Sequence, residues 1–529
     1  MEEDRPRPSL GRPQGWDPVW QRPVPPSIGA RLAPVVVFVV ALVAYLRTLL
    51  PGQAFDDWGE MQSVPHLLGI AHPTGYPTFI LAAHLFELLP FGSVAYRANL
   101  FSAVLVALTL ATLCWAATRL GVRPAIAAAA ALATGAAGTV WAAATVAEVN
   151  PLHLFLMALL LDRALAWADG GRPRDLALCG LITGLALGNH LLTLFVAPFI
   201  ALFAVWAGRR ALLDRPKLVF LPILTALLGL TVYAYIPIAA RFNPPLAYNH
   251  PTTLDSFLFL VTGTQFRAQE TDILAASSIS TLLAAGPSLV GLVVERGVLL
   301  LPLAGVIGIA VLLVRRPSLG LPLVGILIAG ADVWANYLEL EHYLLVPFLV
   351  LGLGAAVAVE AAARVAEDWL PSAAARAAGP LAIAGASAMA VLLAVVNLPS
   401  ADLSANHSGD DYVAMMTSQL PQDAAILSFW GASTPLWYAQ HILGDRPDVL
   451  VIDDTNVVYE PGGTREDRIR AMVCQRPVFI LRPSESDLVP TRALFTLDPA
   501  FTVTVGIGGP VATTPLPVYR VVAPAGTCP

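Results

Sequence analysis

Charge is scarce in this sequence: only 13% of its 529 residues are Asp, Glu, Lys or Arg, against 56% that are hydrophobic. Soluble domains carry roughly 25% charged residues, so lipid rather than water surrounds most of this chain. A mean hydropathy of +0.68 agrees. A net charge of −6 offers no basic surface for a phosphate backbone, which argues against nucleic acid as a partner. Cysteine is rare as well. Cys114, Cys179, Cys474 and Cys528 show neither CxxC spacing nor histidines at zinc-binding spacing, so no metal site and no cofactor is expected. Residues 1–31 are rich in proline and arginine and lack an apolar core, and the apolar run after them has no small-residue cleavage site. That reads as a disordered cytoplasmic tail followed by a retained first span.

A membrane-crossing helix needs about 20 apolar residues. Candidate spans fall at 32–50, 98–118, 124–143, 151–168, 175–188, 190–207, 218–240, 297–314, 317–335, 343–363 and 379–397. That makes about eleven, with the fifth short and broken at Gly188, Asn189 and His190. Alternate loops then sort by charge. One set holds Arg119, Arg123, Arg163, Arg172, Arg174, Arg209, Arg210, Arg215, Lys217, Arg315, Arg316, Arg364 and Arg376, the mark of a cytoplasmic face. The other set holds acids, histidines and asparagines, and it faces outward.

Residues 398–529 change character. Apolar runs AAILSF, DVLVID and PVFILRP alternate with the helical patterns STPLWYAQHILG and GTREDRIRAMVC. The pattern predicts an extracytoplasmic α/β domain ordered β-α-β-α-β with a β-rich tail, each helix opened by a Ser or Thr cap. Cys474 and Cys528 would share its oxidising compartment, either paired or as separate thiols. The domain shows no convincing nucleophile, so acceptor binding is its expected role. The expected fold is therefore mainly α: a polytopic helical membrane domain over 32–397 with a C-terminal α/β domain over 398–529. The small-residue runs AIAAAAALATGAAG and GLGAAVAVEAAA predict close helix packing.

The densest polar cluster is FDDWGEMQSVPHLLGIAHPTGYP, which follows the first span and carries Asp56, Asp57, Glu60, His72 and Tyr76. Helical spacing places the three carboxylates on one face. Crowded acids beside an apolar surface repel one another, and one is left poised to accept a proton. The alternative is a solvated acidic loop. HPTGYP punctuates the chain before a helix expected to lie along the interface. Arg97 in YRANL either holds a phosphate or anchors a helix at headgroup level. Glu148 and Asn150 in TVAEVNPLH, and Asn189 and His190 in GLALGNHLL, are polar groups at membrane depth, costly unless paired or functional. The loop around Arg241, Asn249, His250 and Arg267 mixes cations with aromatics, as a sugar or phosphate-sugar pocket would, or as an interfacial aromatic belt would.

Taken in order, DWGE, GIAHPTGYP, RANL, VAEVNPLH, GLALGNHLL and NPPLAYNHPTTLDSFLFLVTGTQFR resemble bacterial relatives of the vertebrate transmembrane protein O-mannosyltransferases, within the GT-C membrane glycosyltransferases. Trp58 stands where the family has a small residue, Thr74 where it has proline, and Asn150 where an aromatic is common. The resemblance implies an inverting glycosyltransferase of the bacterial inner membrane. Its donor would be a polyprenyl-phosphate-linked monosaccharide, mannose or similar, and its acceptor a hydroxyl of a protein or envelope glycan. On that reading Asp57 is expected to be the general base, Glu60 to orient or tune it, and Arg97, His190 and Arg241 are the candidates to stabilise the departing lipid phosphate. A transporter of lipid-linked sugar and a non-catalytic assembly protein are the competing readings. The outer-end position of the acids and the lack of an evident repeat disfavour the first.

Overall fold

The computed structural model describes residues 28–264, 279–336, 341–454, 463–507, 509, 513–524 and 526. Arg267, Cys528 and most of the N-terminal tail lie outside them.

Helices dominate up to residue 401, and the chain is a multi-pass membrane protein. Among the described residues eight helices are long and apolar enough to cross a bilayer, and a ninth span results if Ala284–Gly297 and Leu300–Arg315, bent by 108° at their junction, are taken together. The other two of the eleven expected spans are shorter. Residues 124–143 break into Pro124–Gly135 and Gly138–Ala143, and the Gly135 carbonyl at the break accepts from the Tyr45 hydroxyl at 3.0 Å. The fifth is the 15-residue helix Pro173–Leu187, which stops before Asn189 and gives way to Thr193–Asp214. Pro77, Pro124, Pro151 and Pro173 each sit in the first turn of a helix, where proline removes no needed hydrogen bond and its fixed φ suits the first turn.

The helix Leu345–Trp369 forms the centre of the bundle; the window around it is 94% buried. Small residues let its neighbours close in. A Cβ on Gly308 would stand 1.7 Å from the Gly354 carbonyl oxygen, and one on Gly305 would stand 2.7 Å from that of Leu351. Without lipid-excluding apolar contrast, such backbone proximity is what holds membrane helices together.

The helix Val94–Arg119 joins the two polar ends of the bundle, about 39 Å apart at 1.5 Å per residue. At its Arg119 end the arginine loops are not bare. Arg119 meets Asp162 at 2.7 Å, Arg123 meets Glu367 at 2.6 Å, Arg364 meets Glu360 at 2.7 Å, and Arg163 bridges Asp162 and Asp175. At its Asn99 end lie the acid-rich first loop and the C-terminal sheet.

That sheet has the order β2-β1-β3-β5-β4. β1 (Ala425–Ser428), β2 (Leu450–Asp453) and β3 (Val478–Leu481) run parallel, and β5 (Thr513–Val522) pairs antiparallel with both β3 and β4 (Thr496–Gly506). Between the parallel strands stand helices Trp430–Tyr438 and Arg465–Met472. Thr464 caps the second with a full capping box, as expected. The first has no side-chain cap and starts three residues before Ser433. The Ser433 hydroxyl instead pairs with that of Ser428 at 2.7 Å inside the core. One sheet face packs Ile426, Ala432, Leu436 and Phe479 against Tyr412 and Met416, and the other packs Leu427, Val478 and Ile480 against Ile469. Phe55 belongs to the first of these clusters, its ring 5.5 Å from Tyr412, so the first loop is docked into the sheet unit. Cys474 is disulfide-bonded and Cys114 and Cys179 are free thiols.

Candidate active site

Asp56 opens the helix Asp56–Ser63 with φ of +59°. One turn on, Glu60 is 2% exposed, whereas the Asp57 side chain is half exposed. The turn at Pro73–Gly75 folds His72 back onto that helix. Glu60 holds it twice: one oxygen accepts from the His72 backbone N–H at 2.8 Å, and the other lies 2.5 Å from Nδ1.

The Tyr76 hydroxyl lies 2.9 Å from the Pro73 carbonyl and 2.9 Å from His72 Nε2. With Glu60 against Nδ1, both ring nitrogens have a partner able to accept a proton from an imidazolium. The electrostatics agree. Burial opposes that charge, but Asp57 and Glu60 outweigh it and push the His72 pKa up to about 10. Burial raises the Glu60 carboxyl, with His72 offsetting part of the effect.

Asp57 Oδ1 lies 3.9 Å from His72 Nδ1 and accepts a 2.7 Å hydrogen bond from the Trp430 indole N–H. Trp430 comes from the helix after β1, so the first loop and the C-terminal sheet complete the site together. Around this pair, burial and then the Asp57 charge raise Asp56 to about 6 and Glu148 to about 7. Glu148 receives the N–H of Val149 at 2.9 Å and the Asn150 amide at 3.2 Å. The Asn189 amide donates to the Val149 carbonyl at 3.1 Å. His190 accepts the Leu192 N–H on Nδ1 at 3.1 Å, which leaves its proton on Nε2. Burial, then His153, His342 and His72, hold it well below its usual pKa, so it is a neutral donor. Its ring lies 5.9 Å from both Tyr76 and His153.

Thus Asp56, Asp57, Glu60, His72, Tyr76, Glu148, Asn150, Asn189 and His190 share one region. Asn249 and His250 line a neighbouring cavity of about 1090 Å³ that also touches Glu60 and Trp430. Arg97 stands apart: its guanidinium donates to the Phe91 and Gly92 carbonyls at 2.8 and 2.7 Å, groups that the tight turn leaves without backbone donors. Arg241 is exposed at the end of Tyr235–Arg241 and makes no hydrogen bond or ion pair among the described residues.

Trp430 and His342 are marked by no local motif, and His153 closes VAEVNPLH without being singled out from it. The role of Asn99 in RANL is likewise unmarked. Its Oδ1 accepts from Gln62 and from the Ala147 N–H, both at 2.9 Å, and its amide donates to the Leu50 carbonyl at 2.8 Å. The motif's asparagine, rather than its arginine, ties together the loops that build the site. The ligand atoms of Asp57, Glu60 and His72 lie within 4.8 Å of one another, near enough for a divalent cation to bridge. A proton on His72 Nδ1 and such a cation would compete for that position.

The same first loop and bundle occur elsewhere. Residues 57–212 match the family profile of the protein O-mannosyl-transferase TMEM260 N-terminal domain. Protein O-mannosyl-transferase TMEM260 of Mus musculus is 29% identical over 471 residues, covering 82% of this chain and 64% of its own length. Both likenesses are to TMEM260 proteins. It spans less than two thirds of that mouse protein. The Dictyostelium discoideum TMEM260 protein is 32% identical over 74 residues, 13% of this chain and 9% of its own. Among solved structures, ArnT from Cupriavidus metallidurans bound to undecaprenyl phosphate superposes with a TM-score of 0.60 at 15% identity, covering 94% of this chain and 99% of ArnT. Its apo form gives 0.56 at 14% identity over the same shares. The fold of this chain is thus that of ArnT, mainly helical and polytopic, as the sequence predicts.

Proposed function

We propose that the protein is an inverting membrane glycosyltransferase that moves a monosaccharide, mannose in the simplest case, from a polyprenyl-phosphate carrier to a hydroxyl of a protein or envelope glycan. The observation that carries the reading is the half-exposed Asp57 carboxylate, steadied by the Trp430 N–H and set against the His72–Glu60 ion pair. A solvated acidic loop has no need of an indole brought from the far end of the chain. ArnT, which shares the fold, is seen with undecaprenyl phosphate.

In this mechanism the acceptor oxygen attacks the anomeric carbon while Asp57 takes its proton. The bond from that carbon to the phosphate oxygen breaks, and the phosphate leaves with the electron pair. A base placed in this way contributes typically 10²–10⁴-fold. Glu60 acts through His72, holding the imidazolium charge beside the reacting groups. That charge, the His190 Nε2–H and Arg241 stabilise the leaving phosphate, since cations and donors aimed at a developing oxyanion are worth several kcal/mol; Arg267, outside the described residues, is assigned to donor binding from the sequence alone. Asp56, Tyr76, Glu148, Asn150, Asn189, Asn249 and His250 shape the donor and sugar pocket. Arg97 supports the loop beside it.

The division of the chain into a tail over 1–31, a transmembrane domain over 32–397 and a soluble domain over 398–529 belongs to the same reading. The arginine loops would face the cytoplasm of a bacterial inner membrane and the site its outer face. The test incubates purified protein and Asp57→Asn with radiolabelled polyprenyl-phosphate mannose and cell-envelope acceptors. Label entering protein or glycan with the wild type and not the variant supports the reading; no transfer by the wild type overturns it.

A further inference from the structure

The C-terminal sheet ends in an open strand that faces the candidate site. β2 is an edge strand: β1 lies on one side, and among the described residues no strand lies on the other. The Leu450 N–H bonds to the Ala424 carbonyl and the Asp454 N–H to that of Ser428. Backbone groups of alternate residues in a strand point to opposite sides, so the N–H and carbonyl of Val451, between them, point away from β1. They point into the cavity of about 1090 Å³, whose floor is Leu450–Asp453. Helix Arg465–Met472 covers one face of the sheet and helix Trp430–Tyr438 the other. From them Ala471 and Met472 form one wall of the cavity, and Trp430 and Trp437 the other. The end of the trough is closed by Glu60, one helical turn from Asp57.

We propose that this edge is where a polypeptide acceptor binds, joining β2 as an added strand so that a serine or threonine hydroxyl is delivered to Asp57. Exposed strand edges bind extended chains through repeating main-chain hydrogen bonds, with flanking pockets reading alternate side chains. The dimensions suit a peptide. The cavity is at the upper end of the range for small-molecule sites, roughly 300–1,000 Å³, and four residues of strand extend about 13 Å. Trp430 serves twice, lining the trough and donating to Asp57, so the path of the added strand leads to the carboxylate. A glycan would find aromatic walls here but no use for the outward N–H and carbonyl of Val451 on the floor.

The inference rests on the transferase reading, and its test does not depend on catalysis. Full-length protein in detergent is immobilised and offered a randomised pool of nine-residue peptides with a fixed central threonine. It is offered, in parallel, the same pool N-methylated at alternate residues, which removes the hydrogen bonds of one strand edge. Val451→Pro deletes the outward N–H and leaves the β1 pairing intact, since proline is accepted on the free side of an edge strand. Val451→Ala shortens the same side chain and keeps the N–H.

The expected result is retention of the unmodified pool by wild type and Val451→Ala, with about tenfold less retention for the N-methylated pool or for Val451→Pro at unchanged melting temperature. A net main-chain hydrogen bond is worth about 1 kcal/mol, and a tenfold change about 1.4. Equal retention of both pools, unchanged binding by Val451→Pro, or no retention by wild type overturns the edge-strand acceptor. If wild type then still moves labelled sugar onto glycan or lipid, the transferase reading survives it.

Discussion

Glu60 and His72 form a buried ion pair in which one carboxylate grips the same residue through its backbone N–H and its ring. The double contact orients the imidazolium without using the Asp57 oxygens, so Asp57 keeps its capacity to accept a proton. Two neighbouring acids thereby take different work: the buried one is neutralised in place and the half-exposed one stays available.

This pair makes stability depend on alkaline pH. The folded-state pKa of His72, about 10, is above its ordinary value of 6.5. Its contribution is fully present below pH 6.5, declines as the pH rises, and is gone above about 10. Melting temperature should fall between pH 7 and 10.5 in the wild type, and His72→Gln should flatten that fall. Identical slopes for the two proteins would show that His72 is not the charged partner.

Asp57→Asn should lower transfer by about 10²–10⁴-fold, the usual worth of a positioned base. The amide oxygen can still accept from the Trp430 indole, so melting temperature and donor binding should stay close to wild type. Full transfer with the asparagine would move the base elsewhere.

Trp430→Phe keeps the ring and deletes the N–H bonded to Asp57 at 2.7 Å. A hydrogen bond to a charged group is worth about 1.5–3 kcal/mol, so kcat should fall by about tenfold or more. Steady-state rates at saturating donor measure this, and Trp430→Ala should be worse because its ring also packs near His72 and Trp437.

Asn99→Ala should destabilise the fold by about 2–4 kcal/mol, since it leaves the partners of several buried hydrogen bonds unsatisfied. Thermal unfolding in detergent reads this directly. Asn99→Asp, which keeps the acceptor oxygens and loses the donor, should be intermediate.

Chelation should leave transfer intact. A proton on His72 Nδ1 and a divalent cation compete for one place between Asp57, Glu60 and His72. Loss of activity in EDTA, restored by Mn²⁺, would assign these residues to a metal instead.

The spans and the strand-helix alternation were legible because each is a local pattern. AAILSF, DVLVID and PVFILRP became β1, β2 and β3, and the break after Leu187 came where glycine, asparagine and histidine interrupt the apolar run. Asp57, Glu60 and His72 could be grouped because they lie within sixteen consecutive residues. For Arg97 the sequence leaves a phosphate ligand and a helix anchor open, because a cation beside a span fits either part. The two carbonyls that hold it belong to a turn whose shape no composition reveals. Trp430 reaches the site through tertiary packing alone, and Ser433, spaced like a helix cap, pairs instead with Ser428 inside the core.

The hydrogen bond between Asp57 and Trp430 joins positions 373 residues apart. During synthesis the acid is therefore made long before the indole that steadies it. The ribosome must finish most of the chain before Asp57 gains its indole partner, and a product truncated ahead of residue 430 would carry the whole matched segment 57–212 without that partner.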